Sequence, residues 1–416
     1  MESYENRIIN GVLKANLMAT DPSTVQALLA RDVEIVAPPE RASLDDLWPC
    51  IWALAQVLER QFTGRIFLRC GLSAPLLAPS IFSSRIAFTS TPAVGALQIY
   101  IGIEPALNKE SVLWGDARNA QISFQSLIGK NECANPISGF ALAGYLGFAA
   151  LAVAVQIPPM RETLASNVIE LPMVADSLYQ HPEDGYTVIG LGQLGQAYLS
   201  LLYFLAQRQQ VFPRVVLLDK DRFEKANRDT QILLDENEQW EGELKASFLE
   251  QFFCNHGWHA KGEFVKIEWN WEKPSDHPRL VLLGLDNFDA RRMVLSAHYD
   301  WFFESGVGAS FLSPKVSWHS ISPKNRNSNI FPANVTATSE AKPDTDFEKV
   351  LHQASSDRCG WLRYNSITAT APAMGLVASA YVWAEVTQYL AGRQASKVGR
   401  ARLWSPLLPF MRTDLL

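Results

Sequence analysis

Apolar and polar positions alternate in two different ways along the first 180 residues. Short apolar runs typical of strands occur at residues 33–36, 65–69, 85–90 and 96–103. Between them, an apolar stripe with helical spacing predicts a helix over residues 44–61, and shorter helices suit residues 4–16 and 23–30. This alternation of helices and strands predicts an α/β layer.

An uncharged, Ala- and Gly-rich stretch covers residues 140–155. It is shorter than the roughly 20 residues of a membrane span, so we expect a buried core helix. A second Ala-rich helical tract follows at residues 366–390. Both tracts are marked by a proline and a glycine near their start: Pro136 and Gly139, Pro372 and Gly375. This similarity predicts two copies of one fold in the chain.

The stretch between residues 186 and 231 carries the strongest local pattern. A β-branched run predicts a buried strand over residues 186–189, and G-x-G-x-x-G follows at Gly190, Gly192 and Gly195. A helix is then predicted over residues 196–209, and a second apolar strand ends in Asp219. Glycines let the backbone approach a phosphate, and a helix N-terminus offers free N–H groups. The stretch therefore predicts a nucleotide-binding half-fold.

Further helices and strands alternate downstream of this unit. The helices are predicted over residues 243–255, 290–298 and 366–390, and the strands over residues 263–269, 280–283, 301–305 and 316–321. Residues 322–343 are polar and predict a long loop, whereas residues 400–416 form a basic-then-apolar tail. The Pro- and acid-rich residues 158–185 predict a linker with a short helix, so we divide the chain into domains at 1–180 and 181–416.

Composition narrows the class of protein. Hydrophobic residues make up 48% and charged residues 19% of 416 residues, as in globular domains with sizeable cores. The net charge of −6 and the lack of a basic cluster argue against nucleic-acid or membrane-surface partners. The five cysteines, at positions 50, 70, 133, 254 and 359, form no C-x-x-C pair, and the N-terminus has no signal-peptide pattern. Scattered thiols favour a reducing, cytoplasmic location.

A dense polar run from Asp219 to Gln231 helps to distinguish an ATP site from an NAD site. An NAD-binding protein would use Asp219 for the ribose but has no need of the charged residues beyond it. An enzyme that works at the α-phosphate of ATP needs cations and amides along the triphosphate. The run therefore favours ATP, with an NAD-binding Rossmann protein as the alternative from another class.

Four motifs in order resemble the ubiquitin-activating superfamily, which includes the ThiF and MoeB adenylating enzymes. The run from Asp219 to Gln231 is similar to D-x-D-x-V-x-x-S-N-L-x-R-Q, and residues 242–246 are similar to G-x-x-K-A. Residues 286–291 resemble D-N-x-x-A-R, and Cys359 resembles the crossover-loop cysteine of ThiF-type enzymes. The resemblance covers residues 186–392. It implies a Rossmann-like adenylation domain with a mostly parallel sheet.

The resemblance also implies residue roles. Nucleotide-binding roles fall on Gly190, Gly192, Gly195, Asp219, Asp221, Asn227, Arg228, Gln231, Lys245 and Asn287. Asp286 would hold Mg²⁺, since its hard carboxylate suits that ion. Lys245 and Mg²⁺ would neutralise charge during attack on the α-phosphate of ATP, and Cys359 would capture the acyl group as a thioester. Asp286, Lys245 and Cys359 are thus the expected catalytic residues.

Some positions depart from the family pattern. Thr230 stands where the family has arginine, so either Arg228 or another arginine serves the phosphates. Ala226 replaces a serine, and the zinc-binding cysteine pairs of several members are absent. Residues 3–9 resemble R-Y-x-R-Q-I, which implies that Arg7 enters the ATP site of the other half. Residues 1–180 would then be a degenerate, inactive copy of the adenylation fold.

The resemblance implies an ATP- and Mg²⁺-dependent activating enzyme for a ubiquitin-like protein. It would adenylate a C-terminal glycine, form a thioester on Cys359 and pass the modifier to a conjugating enzyme. A bacterial conjugation system, such as one for antiviral defence, is the expected setting. A ThiF- or MoeB-like enzyme acting on a sulfur carrier or small molecule without conjugation is the first alternative, and a non-catalytic scaffold is another. The sequence leaves open whether two chains form a homodimer.

Overall fold

Two sheets formed by successive parts of the chain have the same strand order. The computed structural model describes residues 22–71, 83–105, 112–118, 121–124, 133–155, 168–173, 179–236, 239–268, 270–286, 288–307, 315–325, 331, 372–402 and 411–415. The first sheet contains β1 (Val33–Val36), β2 (Ile66–Arg69), β3 (Ile86–Phe88), β4 (Leu97–Ile101), β5 (Val112–Arg118), β6 (Gln121–Ser123) and β7 (Val168–Glu170). Its order is β3-β2-β1-β4-β5-β6-β7.

The second sheet repeats that order and adds one strand. It contains β8 (Tyr186–Ile189), β9 (Val215–Asp219), β10 (Ala260–Phe264), β11 (Leu280–Leu283), β12 (Trp301–Val307), β13 (Lys315–Ile321), β14 (Ser396–Arg402) and β15 (Met411–Leu415). Its order is β10-β9-β8-β11-β12-β13-β14-β15. In each sheet the first five strands are parallel and the later ones antiparallel. The mostly parallel, Rossmann-like α/β architecture is therefore confirmed, with its order present twice.

Seven α-helices connect or cover these strands in the described parts of the chain. They are α1 (Pro22–Leu29), α2 (Trp48–Gln61), α3 (Pro136–Ala154), α4 (Gln193–Gln209), α5 (Lys245–Asn255), α6 (Phe288–Leu295) and α7 (Pro372–Leu390). Short 3-10 helices occur at Pro39–Arg41, Lys225–Asp229 and Pro323–Asn325. A continuous core joins apolar residues of both sheets with α2, α3, α4 and α7.

The two Ala-rich helices α3 and α7 occupy equivalent places in their halves. Each has 19 residues and follows the sixth strand and precedes the seventh strand of its sheet along the chain. Their hydroxyl groups meet at Tyr145 and Tyr381, the tenth residue of each helix, with oxygens 3.3 Å apart. At Gly144 a side chain would collide with α7, since an added Cβ would lie 2.7 Å from the carbonyl oxygen of Ala373. The matched positions support an internal duplication of one fold.

Helix α3 is apolar all round because it is buried. Among the described helices, α3 is the one that is long and apolar enough to cross a membrane, yet 94% of its most apolar 18-residue stretch is buried inside the protein. Asn135 caps it by accepting from the N–H of Ile137 at 2.9 Å, and the Ser138 hydroxyl completes a capping box. The expectation of a core helix agrees with this burial.

Several strands were not predicted from the sequence, or were predicted with other bounds. Strand β7 lies in the segment predicted as a linker, and β14 and β15 include much of the predicted tail. Strands β5 and β6 were also missed, and β10 begins at Ala260 rather than at residue 263. Most of these strands pair antiparallel. An antiparallel strand can keep one solvated face, so charged residues weaken its hydrophobic signal.

Candidate nucleotide-binding site

The carboxyl ends of β8, β9 and β11 meet at the point where the strand order reverses. Ile189 of β8 pairs with Leu218 on one side and with Leu283 on the other. The residues that follow, Gly190 and Gly284, therefore lie side by side. In an open parallel sheet, a crevice at such a switch point is where ligands bind.

The three glycines of the loop have different surroundings: Gly190 and Gly195 pack against main-chain atoms, whereas among the described residues Gly192 does not. Gly190 has a φ of +84°, which favours glycine, and a Cβ added there would lie 2.9 Å from the main-chain carbon of Gly284. A Cβ on Gly195 would overlap the carbonyl oxygen of Gly190. A Cβ on Gly192 would have no described heavy atom within 4 Å, and Gly192 is the N-cap of α4. No described residue therefore fills the space beside Gly192, as a phosphate at the helix N-terminus would require.

Asp219 fixes the shape of this loop. One carboxylate oxygen accepts from the N–H of Leu191 at 2.6 Å and the other from the N–H of Asp221 at 2.8 Å. Burial raises the pKa of Asp219, although the charge of Lys245 and these two amides act in the opposite direction. The predicted ribose ligand thus lies at the end of β9 and already braces the glycine loop.

Lys245 is buried beside the same strand end. It is the first residue of α5, and its N–H donates to the carbonyl oxygen of Asp221 at 3.0 Å. Its ammonium lies 3.8 Å from the Asp221 carboxylate, whose side chain is 55% exposed. A lysine on a surface helix would extend into solvent, whereas Lys245 is 7% exposed. The structure therefore brings Lys245 together with Asp219 and Asp221.

Three more predicted nucleotide-binding residues of the polar run bond to other parts of the protein. Asn227 accepts from the N–H of Glu224, the N-cap of the 3-10 helix, at 3.1 Å and completes a capping box. Arg228 donates to the Glu59 carboxylate of α2 at 2.6 Å, so its guanidinium is engaged by the first half of the chain. Gln231 accepts from Gln196 at 2.7 Å and is buried. Of these three residues, Gln231 is linked to the glycine loop, because Gln196 also donates to the carbonyl oxygen of Leu191.

A buried ionic network fixes the loop after β11. Arg291 donates to the carbonyl oxygen of Leu285 from two nitrogens, at 3.0 and 2.7 Å, and to Glu304 at 2.6 Å. The other oxygen of Glu304 contacts His319, its cross-strand neighbour on β13. Next to Leu285, Asp286 is exposed. The network therefore holds the segment that presents the predicted Mg²⁺ ligand.

The donor set at this edge fits a nucleotide-bound Mg²⁺. Among the described residues no group of three His, Cys, Asp or Glu side chains could hold a metal by itself. Mg²⁺ that bridges substrate phosphates needs only one or two protein carboxylates and keeps several waters. Asp286 alone can meet that need. The other predicted residues Arg7, Asn287 and Cys359 lie outside the described residues.

Three residues with structural roles at the site were not singled out from the sequence. Gly284 faces the glycine loop, since a Cβ there would overlap the carbonyl oxygen of Gly190. Gln196 bridges the carbonyl oxygen of Leu191 and the Gln231 side chain. Arg291 was visible as the last residue of the D-N-x-x-A-R pattern, but its partners Leu285 and Glu304 depend on the fold.

Comparisons with known proteins concentrate on the second half of the chain. The family model of the BilD C-terminal domain matches residues 183–393. The bacterial E1-like protein BilD of Collimonas sp. (strain OK412) is 26% identical over 211 residues, which are 50% of this chain and 45% of that relative. The match therefore spans less than half of the relative's length. The crystal structure of E. coli MccB with AMPCPP and selenomethionine MccA aligns at 12% identity, with a TM-score of 0.38, over 68% of this chain and 72% of that one.

Proposed function

The chain belongs to the BilD C-terminal domain family through residues 183–393, and from this we propose that it adenylates the C-terminus of a ubiquitin-like protein with ATP. The E1-like name of the Collimonas relative supports the reaction class. The order of the four sequence motifs supports the same reaction. The activated C-terminus would be a glycine, and the setting a bacterial, cytoplasmic conjugation system, with antiviral defence as one role.

One observation carries the proposal. The open helix N-terminus at Gly192, the carboxylate of Asp219 and the buried ammonium of Lys245 meet at one switch point. The first two suit phosphate and ribose, which NAD also has. Lys245 adds a cation beside Asp221, and an adenylating enzyme needs such a cation for the charge that develops on the triphosphate.

The proposed first step transfers the adenylyl group. An oxygen of the C-terminal carboxylate attacks the α-phosphorus of ATP, the bond from that phosphorus to the bridging oxygen of the β-phosphate breaks, and pyrophosphate leaves. The amides at the start of α4 and the ammonium of Lys245 hold the phosphates during this step. Mg²⁺, held by Asp286, would neutralise phosphate charge when bound.

The proposed second step uses Cys359. Its thiolate attacks the acyl carbon of the adenylate, the bond from that carbon to the AMP oxygen breaks, and AMP leaves. A conjugating enzyme would then take the modifier from the thioester. Arg7 would contribute to the ATP site from the first half of the chain.

ATP–pyrophosphate exchange tests the first step. The purified chain is mixed with labelled pyrophosphate, ATP and candidate small proteins that end in glycine, each paired with a control that lacks the glycine. We expect exchange that depends on the glycine-ended protein. Binding of NAD in place of ATP, or no ATP binding, would contradict the proposal.

The thioester is tested on gels with and without a reducing thiol. The proposal expects an adduct that disappears with thiol and is absent in Cys359→Ala, whereas pyrophosphate exchange persists in that variant. Exchange without such an adduct would favour the alternative of a ThiF- or MoeB-like enzyme that adenylates a sulfur carrier or small molecule without conjugation.

A further inference from the structure

Arg60 connects the first half of the chain to the main chain of the nucleotide-binding segment. It lies on α2, with its side chain 1% exposed. Its Nε donates to the carbonyl oxygen of Gln231 at 3.1 Å and its Nη2 to that of Leu234 at 2.8 Å. These carbonyls follow the 3-10 helix in the polar run beyond β9. One guanidinium therefore fixes the path of the chain at two points.

The Glu59 carboxylate, next to Arg60 on α2, contacts three arginines. One oxygen of its carboxylate accepts from Arg85 at 2.7 Å and from Arg228 at 2.6 Å, and the other lies 3.2 Å from Arg60. Burial lowers the pKa of Arg60 to about 10, and the neighbouring arginines add to this, while Glu59 and Asp229 oppose it. Three arginines thus converge on one buried carboxylate. Arg228 belongs both to this cluster and to the run expected to contact phosphates.

A short chain of hydrogen bonds leads from Arg60 to the glycine loop. Arg60 holds the main chain of Gln231, whose side chain accepts from Gln196 at 2.7 Å. Gln196 also donates to the carbonyl oxygen of Leu191, between the first two glycines, and accepts from the N–H of Leu233 at 3.0 Å. Gln231 and Gln196 thus link Arg60 of the first half to the loop that would bind the phosphates.

Another arginine joins the halves without reaching this loop. Arg208, in the last turn of α4, donates to the carbonyl oxygens of Asp45 at 3.0 Å and Ala134 at 2.6 Å. It lies at the end of α4 opposite to Gly192. Arg60 and Arg208 therefore form a matched pair, one at the nucleotide end of the interface and one away from it.

We propose that Arg60 is a positioning residue that sets the nucleotide affinity of the second half. It does so by holding residues 231–234, and through Gln196 the glycine loop, in the conformation that receives the phosphates. The proposal rests on the proposed use of ATP. It gives the first half of the chain a defined task that requires no nucleotide site of its own.

The test compares Arg60→Lys with Arg208→Lys in the full chain. Lysine keeps the charge but loses the planar fork that reaches two carbonyls. Calorimetric titration with α,β-methylene-ATP and Mg²⁺ gives the nucleotide Kd, and amide hydrogen exchange without nucleotide follows residues 230–236. For Arg60→Lys we expect a Kd weakened about tenfold and faster exchange in that segment. For Arg208→Lys we expect both values to stay within twofold of the wild type.

Three outcomes would overturn the inference. In the first, Arg60→Lys binds the analogue within twofold of the wild type, and the proposed function survives. In the second, Arg208→Lys weakens binding as much as Arg60→Lys, which would mean general loosening of the interface. In the third, the wild type binds no analogue, which removes the proposed function and the inference together. If Arg60→Lys fails to fold, Gln196→Met tests the same chain of hydrogen bonds with the same expected loss and the same twofold limit.

Discussion

The two halves share a strand order but differ at the ends of their first strands. After β8, the chain turns through glycines and leaves the N-terminus of α4 open at Gly192. After β1, the chain continues through Pro38 into the 3-10 helix Pro39–Arg41, and Arg41 turns inward. A Cβ added to Gly102, just beyond β4, would lie 2.5 Å from an Arg41 nitrogen. Among the described residues, the same switch point is thus unfilled beside Gly192 in one half and occupied by the protein's own cation in the other.

Buried carboxylates hold that cation in place. Arg41 donates to Asp46 at 2.8 and 2.9 Å and to Asp116 at 2.6 Å. Burial alone would lower the pKa of Arg41, but these hydrogen bonds and charges outweigh it and raise the pKa. The difference between the halves shows that sheet order places a crevice, whereas a few side chains decide whether a ligand can enter it.

Loss of the site's buried cation should have the largest effect on activity. We expect Lys245→Met to lower pyrophosphate exchange by at least about 100-fold, the cost typical of removing one preorganised charge donor. Met has similar length, so the melting temperature should change little. Lys261→Met is the control, because Lys261 is half-exposed on β10 and pairs with Asp276 and Glu263. Exchange by Lys245→Met within threefold of the wild type would contradict the assigned role.

Loss of a partner of Arg41, the buried cation of the first half, should lower stability and leave activity unchanged. Asp116→Ala removes a buried partner of Arg41 and should lower the free energy of unfolding by about 3 kcal/mol. Exchange activity per folded molecule should be retained, because Asp116 accepts from Arg41 and Arg118 of the first half. Urea unfolding measures the loss, with the exposed Asp276→Ala expected within about 0.5 kcal/mol of the wild type. A variant that folds normally but loses exchange would show that the first half takes part in the chemistry.

Alanine substitutions at two glycines of the loop should have different effects, one on stability and the other on nucleotide affinity. Gly195→Ala places a methyl group against the carbonyl oxygen of Gly190 and should cost about 2–3 kcal/mol of stability. Gly192→Ala meets no described atom within 4 Å, so stability should stay within about 0.5 kcal/mol while nucleotide affinity falls. Thermal unfolding and calorimetric titration with ATP measure the two effects. Equal stabilities for the two variants would refute this division.

Acid should destabilise the second half of the chain at His181, which lies just before β8. Burial lowers the pKa of His181 to about 4, and its ring contacts the Tyr186 hydroxyl at 2.8 Å. The unfolded chain takes up this proton near pH 6.5, so the stability contributed by neutral His181 is complete above that pH and is lost as pH falls towards 4. Between pH 7 and pH 4.5, His181→Phe should lose about 2 kcal/mol less than the wild type in urea unfolding. Equal losses would exclude His181 as the source.

Local patterns predicted the central unit well, since β8, the glycine loop, α4 and β9 each carry a strong signal within a few residues. Contacts between distant residues could not be read in the same way. Arg228 meets Glu59 across 169 positions and Gln231 meets Gln196 across 35, and both partners are ordinary helix residues by sequence. The direction of Arg228 therefore depends on how the halves pack. Polar strands such as β14 were missed because pairing with β13 and β15, not hydrophobicity, makes them strands.

The smallest expected effect lies where the halves are most alike. Burial raises the pKa of Tyr145 to about 12 and raises that of Tyr381 well above its usual range, and the two hydroxyls bond at matched positions of α3 and α7. Tyr145→Phe and Tyr381→Phe should each cost about 1 kcal/mol. The double variant should cost less than the sum, because each single change removes the same hydrogen bond. Strictly additive losses in urea unfolding would show that the hydroxyls act separately. A coupling near zero would then leave close packing, as at Gly144 and Ala373, as the link between these two helices.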